Sequence, residues 1–426
     1  MKGYQNSFEQ SSLSVIGGTP LEGEVAISGA KNSVLPILAA SLMLSGKTRL
    51  HNVPHLKDVT VMLRMLNALG VRAEFNHSDG VTIWNEKKVR HLAPYDLVTA
   101  MRASFFVAGP ILACRGYAKI PLPGGCSIGA RPVDIHLKGF EALGAKVDIE
   151  HGFVGLKADR LVGTRIPLSF PSVGATENLL MAASLAEGET VIENAAIEPE
   201  VMDLMNFLNK GGAKIQFEVP NSFRIQGVSG LKGIDEYHVI PDRIEAGTFL
   251  VAGALTGGDI RLTGVHSQDL GSVLALLRQA GVHLDVEDTS IRVKGGTPLM
   301  AVDFETEPFP GFPTDMQAQM MSLLCVATGK SRIKESIFEN RYRHVTELSK
   351  MGADISVDGQ DTIVTGVPEL NGASVTMSDL RAGAALVISA LAATGESTVF
   401  GLSHLMRGYC DFPGKLAQLG ARIIPR

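Results

Sequence analysis

Residues 66–75 read LNALGVRAEF, and the same pattern returns five times: FEALGAKVDI at 140–149, LNKGGAKIQF at 208–217, LRQAGVHLDV at 277–286, LSKMGADISV at 348–357 and LAQLGARIIP at 416–425. In each stretch, apolar residues at helical spacing run up to a glycine and then give way to period-two alternation. That is a helix stop followed by a strand start. The glycines, Gly70, Gly144, Gly212, Gly281, Gly352 and Gly420, lie 68 to 74 residues apart. A second landmark keeps the same step: an Ala-rich apolar helix ends at Gly46, Gly116, Gly188, Gly258, Gly329 and Gly395, again before a strand. Two independent landmarks with one period define an internal repeat.

A period of about 70 residues is too long for a thin solenoid, whose repeats run roughly 20 to 45 residues. The sequence therefore predicts an α/β protein of six helix–strand–helix–strand units, grouped as two domains of three. Each Ala-rich helix, such as NSVLPILAASLML at 32–44 or AGAALVISALAAT at 382–394, is apolar nearly all round. Such a helix is expected to be buried on every side. Three of them per domain, surrounded by sheets, is the expected arrangement. The domain boundary is expected around Glu236 to Ile240, with the N-terminal strand, Leu21 to Ser28, completing the other domain.

The chain has 426 residues, 45% of them hydrophobic and 19% charged, with a net charge of −5. This length suits two domains. The charge offers no basic excess for a nucleic-acid backbone, so an anionic ligand has to be held by a few placed cations. Apolar stretches such as Ala103 to Cys114 and Ala384 to Ala393 are too short for a membrane span, and the first residues lack a signal-peptide pattern. Cys114, Cys126, Cys325 and Cys410 show neither CxxC spacing nor clustering with histidine. Zinc and a disulfide framework are therefore not expected, and a reducing, cytoplasmic location is.

Several buried helices open on good capping residues followed by a cation. The starts are Ser28-Gly29-Ala30-Lys31-Asn32, Ser172-Val173-Gly174-Ala175-Thr176, Asp242-Arg243, Thr314-Asp315 and Ser378-Asp379-Leu380-Arg381. A cation in a first turn is disfavoured by about 0.3 to 1 kcal/mol, because the helix start already carries partial positive charge. One such lysine is an ordinary surface residue. Lys31, Arg243 and Arg381, with Arg102 in the second apolar helix, together suggest a site for an anion bearing several charges. Arg243 is the weakest of these, since Asp242 and Glu245 can pair with it.

Two further segments carry chemistry. LPGGCSIGARPVD at 122–134 places Cys126 among three glycines and two prolines, a loop with mobile and rigid parts. A thiol exposed there near Arg131 is expected to be reactive, because the cation favours the thiolate. Cys114 and Cys325 lie in apolar helices and read as core thiols, while Cys410 reads either way. FPGFPTDMQAQ at 309–319 puts Asp315 at the opening of the fifth helix. Alone it is an ordinary N-cap; facing a cationic cleft, it is a candidate general base.

These segments carry a resemblance that runs essentially end to end. ISGAKN, APYDLVTAMRASF, LPGGCSIGARPVD, PSVGATEN, ENAAIEPE, PDRIEAGTF, FPTDMQAQ, FENRYRHV, SDLRAGAALV and RGY occur in order. The sequence resembles the UDP-N-acetylglucosamine enolpyruvyl transferase family. The resemblance implies an inverted, inside-out α/β barrel with domains at residues 31–239 and at 1–30 with 240–426. It implies phosphoenolpyruvate and UDP-N-acetylglucosamine as substrates bound between the domains, with no metal or organic cofactor. Lys31, Arg131 and Arg407 would bind phosphate, and Arg341 and Arg381 would assist with the charges of phosphoenolpyruvate. Asn32, Arg102, Arg131, Pro132, Val133, Asp134, Ile135, Ser172, Val173, Asp315 and Ile337 would hold the UDP-sugar, with Gly174 and Asp379 counted beside them. Asp315 would take the proton of the attacking hydroxyl. Cys126 would act as a proton donor or as a nucleophile toward phosphoenolpyruvate, and would be alkylated by the epoxide fosfomycin. The resemblance leaves two alternatives: an enolpyruvyl transferase for shikimate 3-phosphate, and a catalytically silent paralogue that binds UDP-sugar.

Overall fold

The computed structural model describes residues 12–76, 80–86, 88–122 and 133–426. These divide into two compact units, one built from residues 12–28 with Pro241–Arg426 and the other from the described residues of Gly29–Ile240. Six apolar helices form their centres: α1 (Lys31–Ala40), α2 (Ala108–Arg115), α3 (Val173–Ala183), α4 (Arg243–Leu255), α5 (Gln317–Leu324) and α6 (Leu380–Ala392). In α4 every residue after Arg243 is buried, and in α6 every residue from Arg381 to Leu391 is. The expectation of helices buried on all sides is met, because small residues let neighbouring helices approach. At Gly109 in α2, a Cβ would lie 2.5 Å from the carbonyl oxygen of Asn178 in α3, and the Gly109 amide donates to the Asn178 side chain at 2.9 Å.

In the first unit α4, α5 and α6 pack against one another, and three four-stranded sheets surround this core. Strand β1 (Ser12–Ile16) lies antiparallel between Glu396–Phe400 and Arg422–Pro425. Strand β2 (Glu22–Ala26) runs parallel to Asp259–Thr263. In the second unit α3 packs on both α1 and α2, beneath three further sheets. One of these begins with β3 (Tyr117–Pro121), paired antiparallel with Phe153–Lys157. Each sheet joins a hairpin whose residues alternate inward and outward, as the period-two stretches predict.

The six repeat glycines at the helix ends all adopt left-handed backbone, for example Gly70 at φ +97° and Gly352 at +92°. Only glycine enters that region without a Cβ clash. The second landmark departs in two places. Gly46 already lies within strand Leu44–His51, and in the fourth unit Gly257 takes the left-handed position while Gly258 abuts the backbone of Leu21. Strand β1 has no counterpart in the sequence reading, because SLSVI is made a strand by partners almost 400 residues away. Among the described residues, no helix is long and apolar enough to cross a membrane.

Candidate active site

In the unit containing Pro241–Arg426, Asp315 sits in a single 3-10 turn, Thr314–Met316, just before α5. The expectation that it caps the helix is incorrect: Met316 occupies the cap position of α5, with no side-chain bond. The carboxylate is engaged elsewhere. Oδ1 accepts from Arg341 Nη2 at 2.8 Å, and Oδ2 accepts from Arg381 Nη2 at 2.9 Å and Nε at 3.1 Å. Arg381 and Arg341 are only 2% and 5% exposed. Ionised partners at these lengths form the strong class of hydrogen bond, and the planar guanidinium fork fits them.

Arg381 lies in the first turn of α6, against the positive end of its own helix. Asp379 caps that helix, its Oδ1 accepting from the amides of Arg381 at 2.9 Å and Ala382 at 3.1 Å. Burial works against the guanidinium charge, but the fields of Asp315, Tyr409 and Asp242 outweigh it and hold the arginine firmly protonated. Arg341 rests over the Phe338 ring, 5.5 Å from its centroid. Buried Glu335 ties the two turns together: it accepts from the Thr314 hydroxyl at 2.9 Å and from the amides of Ile337 and Phe338 at 3.1 Å.

A second buried network lies beneath. The Thr248 hydroxyl in α4 spends its proton on the Ile244 carbonyl at 2.7 Å, so the Tyr409 hydroxyl donates to it at 3.0 Å. The Tyr409 oxygen then accepts from Gln319 Nε2 at 3.1 Å, and the same Gln319 amide donates to the Asp315 carbonyl at 3.0 Å. The Tyr409 ring lies under Arg381, 5.2 Å from its guanidinium. Burial pushes the Tyr409 phenol up despite Arg381, so it keeps its proton. Arg407 is half-buried on the turn two residues before Tyr409. Sequence reading overlooked Glu335, Thr248 and Gln319; for Thr248 and Gln319 the available signal was a polar residue inside an otherwise apolar helix, while Glu335 follows the strand Lys330–Lys334 and gave none.

Arg243 opens α4 with its guanidinium over Phe309. The carboxylates beside it also make bonds of their own. Asp242 caps the amides of Ile244 and Glu245, and Glu245 accepts from Lys415 at 2.8 Å. Ser28, expected to cap α1, instead accepts from Lys415 at 2.7 Å; it lies too far ahead of the helix, whose cap position is Ala30 without a side-chain bond.

In the other unit Lys31 opens α1 with its ammonium 3.5 Å from buried Asp58, and Asn32 beside it is half-buried. Ser33 and Tyr237 both donate to buried Asp203. Arg102 opens the 3-10 turn that leads into α2. Ser172 caps α3 through the Ala175 amide at 3.4 Å, which leaves Val173 and Gly174 in its first turn. A Cβ on Gly174 would stand 3.3 Å from the His136 ring. Burial, then the Arg102 charge, push His136 down to about 3, so it is neutral. Asn178 Nδ2 lies 3.1 Å from His136 Nδ1 while the Asn178 oxygen accepts from Gly109, which makes Nδ1 the acceptor and places the proton on Nε2. Val133 is buried, Ile135 half-buried and Asp134 exposed in the first turn of Asp134–Ala142. Cys126, Arg131 and Pro132 lie outside the described residues.

Glu177 in α3 was also overlooked. It is fully buried, neither carboxylate oxygen has a hydrogen-bond partner among the described residues, and burial, then Glu200 and Glu198, raise its pKa strongly. Of the other thiols, burial pushes Cys114 up to about 11 and Cys325 to about 12. Cys410 is half-buried.

Asp315, 26% exposed, is thus held by two buried arginines, and each of the two units carries three apolar helices and three sheets. The family model for EPSP synthase (3-phosphoshikimate 1-carboxyvinyltransferase) matches residues 15–416, and the chain belongs to this family of carboxyvinyltransferases. Within it, the chain is 53% identical over 404 residues to UDP-N-acetylglucosamine 1-carboxyvinyltransferase 1 of Caldanaerobacter subterraneus subsp. tengcongensis, covering 95% of this chain and 97% of that one. It is 54% identical over 412 residues to UDP-N-acetylglucosamine 1-carboxyvinyltransferase of Gloeobacter violaceus, covering 96% and 90%. Among solved structures, the enolpyruvyl transferase NikO from Streptomyces tendae superposes with a TM-score of 0.89 at 28% identity, over 98% of this chain and 99% of that one. EPSP synthase from Acinetobacter baumannii matches with a TM-score of 0.75 at 19% identity, over 98% and 100%, a likeness of fold.

Proposed function

We propose that this chain transfers the enolpyruvyl group of phosphoenolpyruvate to the 3-hydroxyl of UDP-N-acetylglucosamine, releasing phosphate, as the first committed step of peptidoglycan synthesis in the cytoplasm. The observation that carries the reading is the Asp315 carboxylate held between Arg341 and Arg381 at 2.8 and 2.9 Å. Its support is identity above 50% to carboxyvinyltransferases named for this acceptor.

Asp315 accepts the proton of the sugar hydroxyl as that oxygen bonds to the central carbon of phosphoenolpyruvate. A proton adds to the methylene carbon, for which Cys126 is the proposed donor unless it serves as nucleophile instead. Loss of a proton from the resulting methyl group, with departure of phosphate, regenerates the double bond as the enolpyruvyl ether. Positive charge develops beside a phosphate and a carboxylate, and fixed cations suit both anions. Arg341 and Arg381, balanced by Asp315 before substrate arrives, take the carboxylate of phosphoenolpyruvate. Lys31, Arg131 and Arg407 take its phosphate.

The UDP-sugar is assigned to Asn32, Arg102, Val133 to Ile135, the first turn of α3 at Ser172 to Gly174, and Ile337. The free amides of a helix start suit a diphosphate. The three helices and three sheets of each unit fit an inside-out α/β barrel. One assay separates the acceptors: phosphate release from phosphoenolpyruvate with UDP-N-acetylglucosamine or with shikimate 3-phosphate. Release only with the latter reassigns the acceptor, and release with neither removes the enzymatic reading.

A further inference from the structure

Away from every residue assigned above, the unit of Gly29–Ile240 carries a cavity of about 730 Å³ lined by Lys88, Arg90, His91, Tyr95, Arg115 and Phe153, with aliphatic residues between them. Its size falls in the range of small-ligand pockets, roughly 300 to 1,000 Å³. No carboxylate lines it. Some surface arginines elsewhere are matched, as in Arg160–Glu187 at 2.9 Å, Arg292–Asp259 at 2.6 Å and Arg332–Asp361 at 2.8 Å, and others, such as Arg49, Arg64 and Arg278, make no ion pair among the described residues; what sets this cavity apart is that cations and aromatic rings line one concavity together. Among the described residues, none of Lys88, Arg90 and Arg115 makes an ion pair. Three permanent cations therefore share one concavity in a chain of net charge −5.

The apolar half of the lining is equally specific. Tyr95 is 61% exposed, and its ring lies 6.3 Å from that of Phe153. Lys119 adds a further cation 5.0 Å from the Phe153 ring. Aromatic faces beside unmatched cations suit a ligand with a flat apolar body and a multiply charged anionic group.

The wall of the cavity is joined to segments of the proposed active site. The Lys119 amide in β3 donates to the His91 carbonyl at 2.8 Å, and the Ala93 amide donates back to the Lys119 carbonyl at 3.2 Å. β3 ends at Pro121, five residues before Cys126, and the helix Tyr95–Ala100 ends two residues before Arg102. We propose that this cavity is an effector site for a small aromatic or flat apolar polyanion, whose binding is transmitted through β3 and Tyr95–Ala100. The modulation rests on the function proposed above; the binding does not.

The test uses 1-naphthyl phosphate and the full chain with saturating UDP-N-acetylglucosamine, read by equilibrium dialysis. One equivalent is expected to bind, more tightly than inorganic phosphate or 1-naphthol. The double variant Lys88→Ala/Arg115→Ala is expected to weaken binding at least tenfold. It should leave basal turnover unchanged. Naphthyl phosphate is expected to change the turnover of the parent protein severalfold and that of the variant not at all. Equal binding to both proteins, or none to either, overturns the site. Binding without a change in an active parent overturns its effector role. If the parent is inactive with this acceptor, the functional reading fails, and the rate of Cys126 alkylation with and without naphthyl phosphate reads the coupling instead. Tighter binding of an acidic, Phe-containing peptide at these residues assigns the surface to a protein partner and overturns the small-ligand proposal.

Discussion

Asp315 gives one carboxylate oxygen to Arg341 and the other to Arg381, at 2.8 and 2.9 Å, although these partners lie 26 and 66 residues further along the chain. The arginines are nearly inaccessible while the carboxylate retains 26% exposure. The shared anion is therefore the most exposed part of the cluster.

Asp315→Asn keeps the shape but removes the base and the counter-charge. Turnover is expected to fall by about a hundred- to ten-thousandfold, the usual weight of a positioned base. Two buried guanidiniums would also lose their common anion, so denaturant unfolding should show a loss of about 1 to 3 kcal/mol, below the value for a fully buried pair. Turnover within tenfold of the parent would remove Asp315 from the proton transfer.

Tyr409→Phe leaves the ring under Arg381 but deletes the hydroxyl that organises Thr248 and Gln319. The Asp315 turn loses support through the Gln319 bond to its carbonyl. Since small displacements of catalytic groups are costly, kcat is expected to drop about tenfold with the KM for UDP-N-acetylglucosamine little changed. A drop in thermal stability with normal kcat would mark a merely structural role.

Alkylation by fosfomycin is expected at Cys126 and not at Cys114 or Cys325. Burial holds those two thiols up to about 11 and about 12, so near pH 7.5 their thiolate fraction is negligible. Peptide mapping by mass spectrometry reads the site directly. Labelling that persists in Cys126→Ser would identify another thiol as the target.

The buried histidines set an acid limb on stability. His136 is pushed from 6.5 down to about 3 by burial and then Arg102; His344 is pushed down to about 4 chiefly by burial. Both are neutral when folded, whereas the unfolded chain protonates them below about pH 6.5. Stability is therefore fully present above that pH and falls as pH drops toward the folded values. Each histidine contributes about 1.4 kcal/mol per pH unit to the slope. His136→Gln should make the unfolding free energy measured between pH 6 and pH 4.5 correspondingly less steep. An unchanged slope would show that His136 already titrates in the folded protein.

What could be read from sequence was local. Gly70, Gly144, Gly212, Gly281, Gly352 and Gly420 mark helix ends because a left-handed residue there selects glycine whatever lies around it. The same logic found the caps at Ser172, Asp242 and Asp379. It misplaced Ser28 and Asp315, where residue type suits a cap but distant partners claim the side chain: Lys415 for Ser28, Arg341 and Arg381 for Asp315. Gln319 and Tyr409 act through bonds that close only when separate repeats pack together, and Glu335 through a bond to a turn 21 residues earlier in its own repeat. No period within one repeat records them.

The placement of β1 between Glu396–Phe400 and Arg422–Pro425 has a consequence for biosynthesis. A nascent chain emerging from the ribosome has residues 29–240 in hand long before either neighbour of β1 exists. β1 must wait, without either neighbour, until residues 396–425 are translated, whereas β2 meets its partner at Asp259–Thr263 much earlier. A holding chaperone would find its target there, and a stalled ribosome would leave one unit finished and the other lacking a strand's two neighbours.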